Sequence, residues 1–195
     1  MGPRIGIFGG TFDPPHTGHL LLALDALDHL ALDRLVLVPA ARQPLKRGVA
    51  MTDPAHRLAM VEAMAAADFR LSVDGSEVAR GGLSYTVDTV RALKAAHPDA
   101  ELVLLMGADT AATLPQWREP EALALLVTVA VAGRGTEPVQ LPAGFRAQPF
   151  PMRRVDISAT EIRARVAAGR SIRGFVPDAV ADYIAAHQLY RTTTE

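Results

Sequence analysis

Two histidines three residues apart, where a glycine-rich turn gives way to a helix, are the part of this chain best suited to chemistry. The stretch reads Gly9-Gly10-Thr11-Phe12-Asp13-Pro14-Pro15-His16-Thr17-Gly18-His19. Before it, Ile5 to Phe8 is a short apolar run with the character of a buried strand. After it, Leu20–Leu30 is Leu/Ala-rich on nearly every face, as expected of a helix packed deep against a sheet, with Thr17 able to serve as its N-cap. Glycines let the backbone approach an anion, and the first N–H groups of a helix lack intrahelical partners, so such a junction suits a phosphate. His16 and His19 can both donate to the same phosphate, and a bound polyphosphate favours their charged forms. The alternative is a capped turn with two exposed histidines. A zinc reading of the pair lacks further ligands, because the chain has no HExxH motif and no cysteine.

A second candidate lies near the C-terminus, in Asp156-Ile157-Ser158-Ala159-Thr160-Glu161-Ile162-Arg163. Ser158 and Glu161 have capping-box spacing, which is a sufficient structural explanation by itself. The same helix start also offers free N–H groups, two hydroxyls and Arg163 about one turn on, a suitable grip for a triphosphate. Between the two stretches the signals are weaker. Gly107-Ala108-Asp109 follows a strand, and Asp109 is able to accept ribose hydroxyls, although an ordinary strand-to-helix turn reads the same way. Ser84-Tyr85-Thr86-Val87-Asp88-Thr89 opens a helix that Ser84 or Thr86 is able to cap. Trp117 is the only tryptophan, and a lone tryptophan is more often core than ligand platform. Lys46 and Arg57 are cations at a loop and a helix start, positions where solvated surface residues are common.

The elements that must position these residues alternate. A strand is predicted at Leu35–Val38. Asp53-Pro54, an N-cap followed by proline at the first helical position, opens a helix through about Ala66. Phe69–Val73 is the next strand candidate, followed by a helix over Thr86–Ala96, a strand over Glu101–Met106 and, after another helix, a strand over Leu126–Val131. Gly133 to Pro151 reads as a surface connection with one short strand. Ser158–Ala168 and Asp178–His187 read as two closing helices separated by Gly169 and Gly174. Alternating strands and helices imply an α/β fold, a Rossmann-like, doubly wound, mostly parallel sheet covered on both faces, with a small C-terminal helical appendage. The expected division is an α/β core over 1–155 and the helical part of the same domain over 156–195.

Composition narrows the function. With 20 Lys+Arg against 21 Asp+Glu and a net charge of -1, no overall field favours a nucleic-acid backbone or an anionic membrane, so any anion must be held locally. The start MGPRIGIFGG has no apolar stretch of signal-peptide kind, and no segment approaches the ~20 apolar residues of a membrane span. The expectation is a cytoplasmic protein, with no nucleic-acid or membrane partner and an oligomeric state that the sequence leaves open. Gly6-Ile7-Phe8-Gly9-Gly10 is not GxGxxG, Val38-Pro39-Ala40 supplies no acid to hold a ribose, and there is no Walker A motif, which argues against a dehydrogenase or a P-loop kinase.

The first stretch matches the GGTFDPxHxGH signature of nucleotidyltransferases at the same strand–turn–helix position. Read in order with Ser84–Thr89, Gly107-Ala108-Asp109-Thr110 and Ile157–Arg163, it resembles the bacterial nicotinate-nucleotide adenylyltransferase family. The resemblance runs from the first strand to Tyr183-Ile184 and Leu189-Tyr190. One departure is Leu45 in Pro44-Leu45-Lys46, where many members read Pro-His-Lys.

The resemblance implies transfer of the adenylyl group of ATP to nicotinate mononucleotide in NAD biosynthesis, with Mg2+ on the ATP phosphates and no protein metal site. It places ATP on Gly9, Gly10, Thr11, Phe12, His16, His19, Gly107, Asp109, Ile157, Ser158, Thr160 and Arg163. It places the mononucleotide on Thr11, Lys46, Arg57, Ser84, Tyr85 and Thr86, with Trp117 stacked on the pyridine ring. His16, His19, Lys46 and Arg163 are the implied catalytic set: His19 faces the transferring phosphate, His16 supports it, Lys46 shields incoming charge, and Arg163 with Ser158 holds the pyrophosphate. Two other readings stay open. One is another adenylyl- or cytidylyltransferase with the same first motif, such as the phosphopantetheine enzyme; the other is a non-catalytic nucleotide-binding module.

Overall fold

The computed structural model describes residues 2–44, 51–133, 141–153 and 155–191. Its centre is a six-stranded sheet in the order β3-β2-β1-β4-β5-β6. The strands are β1 (Arg4–Gly10), β2 (Arg34–Pro39), β3 (Leu71–Val73), β4 (Glu101–Gly107), β5 (Thr128–Gly133) and β6 (Arg146–Pro151). Every pairing is parallel. Parallel strands need crossovers, and helices supply them as far as β5: α1 (Thr17–His29), α2 (Pro54–Ala65), α3 (Ser76–Arg80), α4 (Thr86–Ala96), α5 (Ala108–Ala111) and α6 (Pro120–Leu126) lie between strands, and α7 (Ala159–Ala167) and α8 (Asp178–Ala186) follow β6.

Strand periodicity divides the core in two. Leu35, Leu37, Val103 and Leu105 face one layer, where Leu22, Ala26 and Leu27 of α1, Met60 and Met64 of α2, Ile162 of α7 and Val180 and Ile184 of α8 meet them. Their neighbours Val36, Val38, Leu102, Leu104 and Met106 face the other layer, with Val90 and Leu93 of α4 and Leu123 of α6. Such strict alternation is what a sheet covered on both faces requires. The closing helices α7 and α8 thus contribute side chains to the same apolar cluster as α1 and α2.

Several boundaries differ from the sequence expectation, three of them for a visible reason. The third strand begins at Leu71, because Asp68 accepts from the Arg70 N–H at 2.8 Å and ion-pairs with its guanidinium at 2.8 Å, turning the chain before it joins the sheet. Phe69 is left 96% exposed. The fifth strand begins at Thr128, since α6 runs to Leu126 and the Val127 N–H still donates to the Leu123 carbonyl at 3.2 Å. At α1 the N-cap is His16, while the Thr17 hydroxyl donates instead to the Gly174 carbonyl at 3.0 Å. Among the described residues no helix is long and apolar enough to cross a membrane.

Candidate active site

The strand order changes direction between β1 and β4, and there the sheet opens. β1 follows β2 in register as far as Gly10 beside Pro39, and β4 follows β5 as far as Gly107 beside Ala132. Pairing between β1 and β4 themselves ends at Ile7 and Leu104. The two strands therefore part over their last residues and leave a crevice at their carboxyl ends, where open α/β sheets receive ligands. Gly9 and Gly107 stand on its two sides, and a Cβ built on either one meets nothing within 4 Å. Asp109 is exposed at the start of the short α5 beyond Gly107.

The turn after β1 is built around two stacked imidazoles. The His16 and His19 rings lie 3.7 Å apart at 29°. Gly18 makes room for this arrangement, since a Cβ there would lie 3.1 Å from His16 Nδ1. The His16 N–H donates to His19 Nδ1 at 3.2 Å, so a neutral His19 carries its proton on Nε2, as a phosphate donor requires. Phe12, with φ of 51°, places its ring edge-on to His19 at 5.0 Å. Phe12 is buried, and its ring supports His19 from one side. His16 is buried as well, and desolvation pushes its imidazole down to about 4. The ring is neutral near pH 7 unless an anion is brought to it, so the charged form expected from sequence depends on the anion itself.

Thr11 Oγ1 and His16 Nδ1 are buried without a hydrogen-bond partner among the described residues. Orphaned buried polar atoms are uncommon, and two in one turn suit a ligand.

The second motif is held against the first. Ser158 caps α7, its Oγ accepting from the Glu161 N–H at 3.1 Å, which accounts for the capping-box spacing. From one turn on, Arg163 Nη1 donates to the Asp13 carbonyl at 2.7 Å and Nη2 to Thr160 Oγ1 at 3.3 Å. The Thr17 N–H donates to the Phe175 carbonyl at 2.9 Å, tying the start of α1 to the chain between α7 and α8. Ser158 and Thr160 are exposed and Ile157 is half-buried.

The mononucleotide set is brought together only in part. The Arg118 guanidinium lies 4.8 Å over the Tyr85 ring, joining the turn after Trp117 to the start of α4. The Trp117 indole N–H donates to Thr113 Oγ1 at 2.9 Å, and the half-buried ring packs against the second apolar layer. Helix α4 begins at Thr86 behind Tyr85, with no side chain capping it. Ser84 neither caps that helix nor offers its hydroxyl outward: it is buried, and its Oγ accepts from the Ala41 N–H at 3.0 Å.

Arg57 does not stand at the surface. It is 0% exposed, and its guanidinium donates to the carbonyls of Thr52, Thr11, Ala40 and Ala41 at 2.7–3.0 Å. With four of its five guanidinium N–H groups committed to backbone carbonyls, it braces the first turn from below. Lys46 and the neighbouring Leu45 lie outside the described residues.

Asp13, to which the sequence reading gave no role, is the hub of this network. Its Oδ2 accepts from the Thr52 N–H at 3.1 Å and its Oδ1 from the Tyr190 hydroxyl at 2.7 Å. The signal was visible only as an aspartate inside the motif; its partners are 39 and 177 positions away.

A crevice at the switch point of a parallel sheet, with paired imidazoles and an arginine at one turn, defines a nucleotide-binding α/β protein of the nucleotidyltransferase class. The cytidylyltransferase-like family model matches residues 7–165. A Gemmatimonas aurantiaca protein named "Probable nicotinate-nucleotide adenylyltransferase" is 51% identical, over 96% of this chain and 92% of its own. A Thermomicrobium roseum protein of the same name is 43% identical, over 97% and 92%. The chain belongs to the nicotinate-nucleotide adenylyltransferase family, within the cytidylyltransferase-like proteins. The fold is also that of Plasmodium falciparum nicotinic acid mononucleotide adenylyltransferase complexed with NaAD, at a TM-score of 0.73 and 20% identity over 96% of this chain and 97% of that one.

Proposed function

We propose that this site joins nicotinate mononucleotide to the AMP part of ATP, forming nicotinate adenine dinucleotide and releasing pyrophosphate, as a cytoplasmic step of NAD biosynthesis. The observation that carries the reading is the convergence of His16, His19 and Arg163 on a single turn at the mouth of the β1–β4 crevice. In the reaction a phosphate oxygen of the mononucleotide forms a bond to the α-phosphorus of ATP, and the bond to the bridging α–β oxygen breaks. The electron pair leaves with pyrophosphate. The attacking oxygen is already anionic, so no base is needed, and the protein's work is positioning and charge stabilisation.

His19 donates from Nε2 to the transferring phosphate, with Phe12 and His16 holding its ring. Lys46 shields incoming charge, and Arg163 with the Ser158 helix start holds the leaving pyrophosphate. Thr11, Tyr85, Thr86 and Trp117 border the mononucleotide. Among the described residues no three His, Cys, Asp or Glu side chains gather around one point. Magnesium takes phosphate oxygens and water readily, so it would come to this site on the ATP phosphates and would neutralise their charge there. Residues 1–155 form the transferase core in this reading, with 156–195 contributing the second phosphate grip.

The test is pyrophosphate release from magnesium-ATP with and without nicotinate mononucleotide, with phosphopantetheine in a parallel reaction. Release that depends on the mononucleotide is expected. Release with phosphopantetheine alone would reassign the substrate, and no release with either would leave only a nucleotide-binding module.

A further inference from the structure

Tyr190 lies beyond α8, separated by more than 170 positions from the turn it touches. Its backbone has φ of 62° and that of Gln188 has φ of 53°, so this tail folds back through two left-handed residues that only a well-packed surrounding maintains. Leu189 and Tyr190 pack against the first apolar layer. The phenol ends at Asp13, donating to Oδ1 at 2.7 Å, and lies 4.0 Å from Met60 Sδ.

Asp13 has several tasks at once. It is 7% exposed and takes one donor on each carboxylate oxygen, Tyr190 on Oδ1 and the Thr52 N–H on Oδ2, while its carbonyl takes Arg163 Nη1. The buried Arg57, which grips the Thr11 carbonyl, is held partly by the charge of Asp13. Burial, and then the hydrogen bond to Asp13, raise the phenol pKa well above its ordinary value, so Tyr190 remains a donor at any working pH. Arg163 is close enough to act on the same phenol electrostatically.

We propose that Tyr190 is a positioning residue for adenylyl transfer: through Asp13 it holds the turn that carries His16 and the carbonyl on which Arg163 is seated. A buried carboxylate that loses a donor takes another from its surroundings, and the nearby guanidiniums of Arg163 and Arg57 are the strong candidates. Either capture disturbs the phosphate grip. Arg163 drawn to the carboxylate leaves the Asp13 carbonyl, and Arg57 drawn to it releases the Thr11 carbonyl. The C-terminal tail therefore acts on the reaction from beneath the turn, with no substrate contact of its own.

The inference rests on the adenylyl-transfer reading, so the unmodified protein is assayed first. Tyr190→Phe keeps the ring and removes only the hydroxyl. Steady-state pyrophosphate release per folded molecule, with ATP varied at saturating nicotinate mononucleotide, should show kcat lowered about tenfold and the KM for ATP raised several-fold. The thermal midpoint should move by only a few degrees, and the assay is run below the measured melt of each variant. Asp13→Asn and the double variant complete a cycle, in which Tyr190→Phe should add little once Asp13 is changed. If Asp13→Asn does not fold, the kcat and KM of Tyr190→Phe decide alone. Values within twofold of an active parent overturn the proposal, as does full additivity in the cycle. A parent without activity overturns the reaction assignment instead.

Discussion

Arg163 donates through Nη1 to the backbone carbonyl of Asp13 at 2.7 Å, across 150 positions of sequence, and so joins the two helix starts that read as phosphate grips. One of its guanidinium nitrogens is spent on the turn and another on Thr160, and the planar fork presents further N–H donors beside them. In the proposed reaction, an arginine seated in this way would meet the triphosphate with its orientation already set. Arg163→Ala should therefore raise the KM for ATP and lower kcat together, and Arg163→Lys should recover little, because a point charge does not reproduce the fork. Initial-rate measurements with ATP varied check this, and an unchanged KM and rate would remove Arg163 from the phosphate grip.

His19 presents the opposite balance between stability and rate. Its ring is half-buried at the mouth of the turn, and the tautomer imposed by the His16 N–H makes Nε2 its donor. Removal of one charge-stabilising donor typically costs ~3–4 kcal/mol in the transition state, so His19→Ala should lower turnover by ~10²–10³ with a modest change in melting temperature. Near-normal turnover in the folded variant sinks the assignment.

Arg57 should show stability without direct chemistry. Its four carbonyl partners and the nearby Asp13 charge surround it in full burial. Arg57→Met leaves those acceptors and that charge without their donor, which typically costs ~3–5 kcal/mol. Arg57→Lys should rescue poorly, since an ammonium cannot span four carbonyls. Denaturant midpoints measure both; parent-like stability of the Met variant would show that the site tolerates the loss.

The His16 imidazole makes stability depend on pH in a definite direction. Its folded pKa lies near 4, below the ordinary 6.5, because burial disfavours the charged form. Between those values the unfolded chain binds more protons than the folded one, so stability declines as pH falls from about 6.5 toward 4 and this contribution levels off below. Comparison of denaturant unfolding for the parent and His16→Gln should give a shallower slope in the variant across that window, by up to ~1.4 kcal/mol per pH unit. Parallel curves would show that His16 is protonated equally in both states.

Nicotinate mononucleotide should be preferred to its amide counterpart. At the start of α4, beside Thr86, no side chain caps the first N–H groups, and the Trp117 indole N–H is already committed to Thr113. Free backbone donors suit a carboxylate and leave an amide NH2 without an acceptor. A mismatch of ~1–3 kcal/mol corresponds to roughly a ten- to hundredfold ratio in kcat/KM. Side-by-side kinetics at saturating magnesium-ATP test it, and equal efficiencies would overturn this view of the pocket while leaving adenylyl transfer intact.

The chain's local chemistry already determines much of this. The apolar runs at Ile5–Phe8, Leu35–Val38 and Glu101–Met106, the Asp53-Pro54 helix start and the Ser158 cap depend on neighbours within a few residues, and each forms as its residue types require. So does the pairing of His16 with His19, because a helix start alone sets their spacing. Tertiary structure decided what long-range contacts control. Arg57 looks like a surface cation in sequence, yet backbone carbonyls from three loop segments close around it. Ser84 looks like a cap, yet Ala41 claims its hydroxyl. The partners of Asp13 come from Thr52, Arg163 and Tyr190, which only the folding of the sheet and the return of the C-terminal tail bring to one place. Periodicity and capping report on a residue's own element, whereas burial and hydrogen-bond commitment depend on what packs against it; the turn's histidines were therefore legible in the sequence, and the network that holds them was not.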